Sequence, residues 1–279
     1  YELFSGNTFD GKTLPFALKS LKRRFGIRRV IIVADKGIAS KVNLKEITDS
    51  GYSYIFAYRL KSAPDKIKEE ALKGNYTDAP SGPDTFKYKA IDYTHSFYHD
   101  SKKIDLFQKI IITYSEARAK KDRIDRQRQV EKAQALLDDI SKIKAQNKRG
   151  AKKYISQDAT DINYSLNTDA IKNDEKFDGY YAISTNEKDI TEEDVVAAYH
   201  NLYKIEHSFR LMKSNLEVAP IFVWTPKRIA GHFVVCFLAF LLERHLEYKL
   251  YKNNIAASAD KIRDALNSLN IAKVKAKES

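Results

Sequence analysis

The sequence contains very little sulfur, because its 279 residues include one cysteine, Cys236, and one methionine, Met212. A single cysteine excludes a disulfide within the chain and is typical of a protein in the reducing cytosol. No signal peptide is recognisable. The longest apolar run, residues 229–242, is shorter than the about 20 residues that a helix needs to cross a bilayer. These features predict a cytoplasmic protein with no membrane partner, in which this run is a buried core helix around Cys236.

Several common catalytic motifs are also missing from the sequence. We find no glycine-rich phosphate loop, no zinc-ligand spacing and no Ser/His/Asp arrangement. His232 stands alone in its apolar segment, so a core histidine is favoured over a metal ligand. Trp224 precedes the same segment, and packing is favoured there over stacking on a base.

Positive charge dominates the sequence, with 49 Lys and Arg against 37 Asp and Glu, a net charge of +12 and a pI of about 9.4. The apolar content of 43% indicates a globular protein. A globular protein this basic is a candidate binder of polyanions, with nucleic acid the first choice and an acidic membrane surface the second.

The first 61 residues carry the signals of an α/β fold. A helix is predicted from Thr13 to Gly26, a short buried strand at residues 30–34, a helix at 40–49 and a second strand at 53–60. Strand, helix and strand in about 30 residues form a βαβ unit, whose apolar strands are usually parallel and covered on both faces.

Residues 62–176 have a different, more polar and basic character. Strands are predicted at 86–93 and 105–114, followed by a long helix over 115–146 with a thin apolar stripe. Its many Lys and Arg residues suit either a solvated helix face or contact with a DNA backbone. A strand from Phe177 then leads to Thr191 and Asp194, whose spacing resembles a capping box opening another helix.

The segment 199–213, YHNLYKIEHSFRLMK, places charges within an apolar helical pattern. Steps of four and three residues from Val195 put Glu206 and Lys213 on the same face as Tyr199 and Phe209, which should point inward. A carboxylate near a core needs a charged partner or a metal. A second stripe fits as well and moves Glu206 to the rim, where it would form a surface ion pair with Arg210.

Asp35 follows directly after the first predicted strand. Functional groups gather at the carboxyl ends of strands in open α/β sheets, where an aspartate can reach a metal. A turn or helix-capping aspartate is the alternative. Asp35 together with Glu206 would supply two carboxylates for metal-assisted phosphoryl transfer.

These segments together resemble the DDE transposases of bacterial insertion sequences. The resemblance is carried by FSGNTFDGKTL, VIIVADKG and YIFAYRL and, most specifically, by the motif around Glu206. That motif is similar to the family's Tyr-Arg-Glu-Lys signature, with Tyr199, Glu206 and Lys213 at the matching positions. Leu202 stands in place of the signature arginine, and Arg210 is a candidate to replace it.

The resemblance implies an RNase H-like core interrupted by a basic β-plus-helix insertion. Residues 1–61 would be the first part of the core, 62–176 the insertion that helps to hold transposon ends, 177–250 the completion of the core and 251–279 a C-terminal tail.

The resemblance also implies a site and its partners. Asp35 and Glu206 would ligate Mg²⁺, with Mn²⁺ as a substitute, while Tyr199 and Lys213 would contact DNA phosphates. The implied function is metal-dependent cleavage and strand transfer at transposon ends, with transposon and target DNA as partners and a homodimer as the candidate oligomeric state. The implied location is the bacterial cytoplasm, at the nucleoid.

One catalytic residue of that family has no counterpart in this sequence. The family's first aspartate lies on a strand before the GNT segment, whereas Asp10 follows GNT. The chain starts at Tyr1 without a methionine, which indicates a piece of a longer protein whose metal site is incomplete. We therefore expect no strand transfer by this chain alone. A DNA-binding remnant without catalysis and another RNase H-like nuclease are the alternatives.

Overall fold

A computed structural model describes residues 2–8, 10–26, 30–79, 86–138, 150–157, 164–214, 216 and 218–269. The chain divides into two compact units. The sheet unit comprises Phe4–His200, and the helical unit comprises Asn201–Ser279 with Tyr1–Leu3. The four predicted domain ranges do not coincide with this division, and they stay a prediction.

The sheet unit contains most of the regular structure. Its elements are α1 (Thr13–Phe25), β1 (Ile31–Ala34), α2 (Lys41–Asp49), β2 (Ser53–Tyr58), α3 (Asp65–Leu72), β3 (Thr77–Asp78), β4 (Lys87–His99), β5 (Lys102–Tyr114), α4 (Glu116–Leu137), β6 (Ile155–Gln157), β7 (Tyr164–Leu166), α5 (Thr168–Glu175), β8 (Tyr180–Thr185) and α6 (Glu192–His200). Short 3-10 helices lie at Asp10–Lys12, Leu60–Ser62 and Gly150–Tyr154.

Six strands form one mixed sheet in the order β1-β2-β8-β5-β4-β3, and β6 pairs separately with β7. β1 and β2 are parallel, whereas the other pairs in the large sheet are antiparallel. The predicted βαβ unit and α/β class are thus confirmed. Within the described residues β1 pairs with β2 alone, so it is an edge strand, and it is only partly covered instead of buried on both faces.

Both faces of the sheet carry helices. On one face, α1 and α2 cover Phe56 and Leu106, and α3 packs on Ile110. On the opposite face, α6 packs on the centre of the sheet. The fully buried side chains of that second layer are Ile55, Ile111, Ile183 and Val195.

Local signals explain the elements that were predicted well. Gly26 ends α1 in the left-handed conformation (φ 61°), which glycine adopts without steric cost. The Ser40 side chain accepts a hydrogen bond from the Asn43 N–H and so caps α2. Thr191 and Asp194 form the predicted cap of α6, because the Asp194 N–H lies 3.2 Å from Thr191 Oγ1.

The hairpin of β4 and β5 is longer than predicted. Pairing continues to His99 and Lys102 because Tyr93, His95 and Phe97 extend the alternation of half-buried side chains. The tight turn between the strands uses Asp100 and Ser101, both with positive φ.

The long basic helix is observed as α4, which ends at Leu137, while residues 139–146 of the predicted helix lie outside the described residues. Val130 and Leu137 from its predicted stripe pack with a small cluster around Ala133 and Tyr154. Ile124 of the same stripe is exposed.

The helical unit contains α7 (Leu202–Ser214), α8 (Pro226–Lys252) and α9 (Ala259–Ser268). The prediction that residues 229–242 form a buried core helix is wrong, because Cys236 alone is buried among the side chains of α8. Apolar residues occur on several sides of α8, so one packing layer cannot cover them. By length and composition α8 could cross a membrane, and one such helix is weak evidence for a membrane span.

Candidate active site

The strand order brings four chain segments to one end of the sheet. Parallel β1 and β2 finish there, and antiparallel β5 finishes where β8 begins, since Tyr58 pairs with Ala182 and Tyr114 with Tyr180. We call this end the Asp35 edge. Because α4 follows β5 directly, its first turn also lies at the Asp35 edge.

Asp35 is exposed at the end of β1. Its Oδ1 accepts a hydrogen bond from the Gly37 N–H at 2.9 Å. A Cβ on residue 37 would lie 3.0 Å from the same Oδ1, so glycine leaves the room that this tight turn requires. The carboxylate therefore stabilises the turn and is also open to solvent.

Tyr199 lies on α6, one turn after the buried Val195. The Tyr181 hydroxyl donates to the Tyr199 hydroxyl at 2.6 Å, and the two ring centroids are 5.6 Å apart. The Arg118 guanidinium lies 4.5 Å from the centroid of the Tyr181 ring. β2 separates β1 from β8 in the sheet, yet the tyrosine pair and Arg118 lie at the same Asp35 edge.

Electrostatics link Asp35 to this tyrosine pair. The pKa of Tyr181 is raised, first by burial, then by its hydrogen bond with Tyr199, with a further contribution from the negative charge of Asp35. Arg118 opposes the rise with its positive charge. Tyr181 is therefore a neutral hydrogen-bonding group at neutral pH.

A cavity of about 440 Å³ opens beside the pair. Tyr181, Tyr199, Arg118 and His200 line it, so its wall combines hydroxyl groups with a cation. That combination can hydrogen-bond and neutralise a phosphate. Sequence reasoning did not single out Tyr181 or Arg118, since only the pairing of β5 with β8 brings them to Tyr199.

Residues 199–213 do not form one helix, as had been predicted. A turn at Asn201 separates α6 from α7, and the Lys204 N–H bonds the Asn201 carbonyl at 3.1 Å as α7 begins. Asparagine favours such turns because its side chain competes for backbone hydrogen bonds. Tyr199 therefore belongs to the sheet unit, and Glu206 and Lys213 belong to the helical unit.

The face of α7 that contains Glu206 is exposed, which corrects the expectation that it points inward. Leu211 is the buried side chain of this helix, and both predicted stripes contain Phe209, which is exposed. Arg244 of α8 donates to Ser208 Oγ at 3.2 Å, so α8 contacts the side of α7 that lies away from Glu206. Glu206 therefore remains exposed.

Glu206, Phe209, Arg210 and Lys213 line one shallow depression of about 470 Å³. Their spacing of three and four residues places them on a single face of α7. The structure thus brings together three of the predicted site residues, one carboxylate and two cations. Asp35 and Tyr199 come together separately, at the Asp35 edge.

The chemistry of the donors suits a hard divalent cation. Asp35 and Glu206 are exposed carboxylates, and carboxylate oxygens are the protein ligands that Mg²⁺ prefers. Within the described residues, no three His, Cys, Asp or Glu side chains are grouped so as to hold a metal. The two residues fit a Mg²⁺ site in kind, and further ligands would have to complete it.

Three other predictions concern the helical unit. His232 Nε2 lies 3.0 Å from the Val218 carbonyl oxygen, and Cys236 is buried beside it, which confirms a satisfied histidine and a packed cysteine. Trp224 is 88% exposed, so the expectation that it packs is wrong.

The chain was compared with protein families, curated proteins and solved structures. The model of the family described as Transposase DDE domain matches residues 1–242. The comparisons with curated proteins and with solved structures gave no match.

Proposed function

The chain belongs to the family of transposase DDE domains, and from that premise we propose that it is the transposase of a bacterial insertion sequence. Transposition makes DNA its partner. In our proposal the enzyme cleaves a phosphodiester bond at each transposon end and joins the freed 3′-hydroxyl to target DNA. The observation that carries the proposal is the extent of the match, because residues 1–242 include Asp35, Tyr199, Glu206, Arg210 and Lys213.

In this proposal Asp35 and Glu206 hold Mg²⁺, with Mn²⁺ able to substitute. The bound metal would supply Lewis-acid polarisation of the phosphate and activation of the attacking water or hydroxyl. The exposure of both carboxylates supports the assignment, as does the position of Asp35 at the end of β1.

The remaining residues would orient the DNA. Because the Tyr199 hydroxyl accepts a hydrogen bond from Tyr181, its own proton is available to donate to a phosphate oxygen. Arg118, against the Tyr181 ring, adds positive charge nearby. Lys213 would neutralise a phosphate from α7, and Arg210 on the same face would replace the arginine of the family signature.

We further propose an RNase H-like core that is completed by a strand upstream of Tyr1 carrying the first aspartate. The outer edge of β1 supports this, since no strand within the described residues pairs with it. Without that aspartate the chain should bind DNA but not catalyse strand transfer. Residues 62–176 would be the insertion that grips transposon ends, with the surplus of cations on α4 contacting the backbone.

The setting follows from the same proposal. The protein would act in the cytoplasm, at the nucleoid, and as a homodimer it could hold two transposon ends at once. Light scattering with and without end DNA would measure that state, and a monomer in both conditions would contradict the dimer.

The catalytic proposal is tested by joining the chain to its in-frame upstream segment and measuring Mg²⁺-dependent cleavage of DNA that carries the element's ends. We expect Asp35→Asn and Glu206→Gln each to lower the rate at least about 1,000-fold, roughly 4 kcal/mol of barrier. Asp49→Asn is the matched control, because Asp49 is an exposed carboxylate that pairs with Lys45 on α2. Cleavage at the parent rate by either site variant would refute its assignment.

A further inference from the structure

A second pocket lies on the face of the sheet that carries α2 and α3, opposite the face of Tyr181 and Tyr199. Its volume is about 630 Å³. The start of α2 forms one wall and the segment from Arg59 to Asp65 forms the other. This pocket shares no lining residue with the cavity beside Tyr199.

The floor of the pocket is polar, although it lies in the middle of the sheet. Gln108 and Ser184 are each only 3% exposed, and both line the pocket. His95 also lines the pocket, and its buried Nε2 has no hydrogen-bond partner among the described residues. Buried polar atoms nearly always have partners, so His95 brings an unused hydrogen-bonding group to the wall of the pocket.

The side chains that line the pocket carry a net positive charge. Lys36, Lys41 and Arg59 line it, and Asp65 is the one acid among the described lining residues. The Asp65 side chain is 84% exposed and forms an ion pair with Lys68 at 2.7 Å, so it does not offset the three cations. The pKa of His95 is lowered, chiefly by burial and additionally by the charge of Lys41, consistent with a positive field inside the pocket.

Size and shape restrict the anion. The pocket falls within the range of about 300–1,000 Å³ that suits organic ligands, and it is larger than a phosphate ion needs. Leu44, Tyr58 and Pro64 add apolar wall. We propose that the pocket binds a phosphate monoester of about the size of a nucleotide, with the phosphate at Lys36, Lys41 and Arg59 and the organic part above the polar floor.

The test is a calorimetric titration of the chain with dTMP, compared with thymidine and with inorganic phosphate. We expect dTMP to bind at least about tenfold more tightly than either fragment, because each fragment uses only part of the pocket. Absence of dTMP binding at millimolar concentration, or equal binding of thymidine, would overturn the proposal.

A pair of variants on α2 controls for general charge. Lys41→Gln should weaken dTMP binding about tenfold, since it removes a charged contact. Lys45→Gln, one turn further along and paired with Asp49 outside the pocket, should bind as the parent does. Both changes are on the helix surface, so thermal unfolding should confirm that each variant folds. Equal losses in both variants would show that dTMP binding does not depend on this pocket.

The phosphate monoester could be a free nucleotide or the 5′-phosphorylated end of a DNA strand. Displacement of a fluorescent, 5′-phosphorylated oligo-dT of about ten nucleotides by dTMP would identify the strand end, and dTMP binding without displacement would identify the free nucleotide. Either result supports the pocket. The titration needs neither metal nor cleavage, so its failure is distinct from failure of the proposed transposase activity.

Discussion

The two units of this protein differ in how far they bury their apolar side chains. In the sheet unit, Ile55, Ile111 and Ile183 on three adjacent strands are completely buried under α6. In the helical unit, α8 leaves large apolar side chains such as Leu242 exposed, at 72%. Each unit carries some of the predicted site residues. The difference indicates that Asp35 and Tyr199 rest on a well-packed scaffold, whereas Glu206 and Lys213 are presented by a helix with few buried contacts.

The largest expected effect is a difference in the free energy of unfolding between alanine variants of two isoleucines. Ile111→Ala should lower the free energy of unfolding by about 4 kcal/mol, because it opens a cavity in the centre of the sheet. Ile205→Ala removes the same atoms from an exposed position on α7 and should change stability by less than about 0.5 kcal/mol. Urea denaturation measures both. Similar losses would contradict the contrast between the units.

A second contrast concerns ion pairs. Arg126 and Asp178 form a pair in the sheet unit whose side chains are each 10% exposed. Asp178→Asn should cost about 2–3 kcal/mol of unfolding free energy, since it leaves the charge of Arg126 poorly compensated. Asp260→Asn, which affects the exposed pair with Arg263 in the helical unit, should cost less than about 0.5 kcal/mol. A small loss for Asp178→Asn in the same denaturation experiment would show that the pair is not structurally important.

A third contrast concerns helix caps. Thr191→Ala should cost about 1 kcal/mol, because α6 packs on the sheet through Val195 and Val196. Ser258→Ala removes the comparable cap of α9, where Ile262 is the buried side chain, and should be nearly silent in global unfolding. Hydrogen exchange would instead detect faster opening of α9. A full kilocalorie lost in both variants would indicate that the two units unfold together.

The smallest expected effects concern DNA binding. Lys213→Gln should reduce the steepness of the plot of log affinity against log salt by about one unit. The loss of one phosphate contact means that DNA binding releases about one counterion fewer. Tyr199→Phe should weaken binding severalfold and leave the slope unchanged, since it removes a hydrogen bond without a charge. Fluorescence anisotropy over a salt series separates the two outcomes. An unchanged slope for Lys213→Gln would remove it from the DNA interface.

Sequence patterns predicted the elements whose causes are local. Gly26 ends α1, Ser40 caps α2, and the apolar run after Val30 forms β1. Each of these signals lies within or next to its own element, so the bounds of the three elements were predicted within one or two positions. The position of Asp35 at a strand end followed from the same run.

Features that depend on distant partners escaped prediction. The apolar periodicity continues past Asn201. The weak helix preference of one asparagine is not enough to predict the break between α6 and α7. Periodicity also shows that α8 is apolar without showing what covers it. The contact of Tyr181 with Arg118 arises only because β5 and β8 pair.

The central claim is that the carboxylates of Asp35 and Glu206 are ligands of a divalent metal. Titration of the chain with Mn²⁺, with free Mn²⁺ followed by electron paramagnetic resonance, tests it most directly. We predict that Asp35→Asn and Glu206→Gln each weaken the tightest site at least about tenfold, while Asp49→Asn leaves it intact. Unchanged affinity at that site in either of the first two variants would contradict the claim.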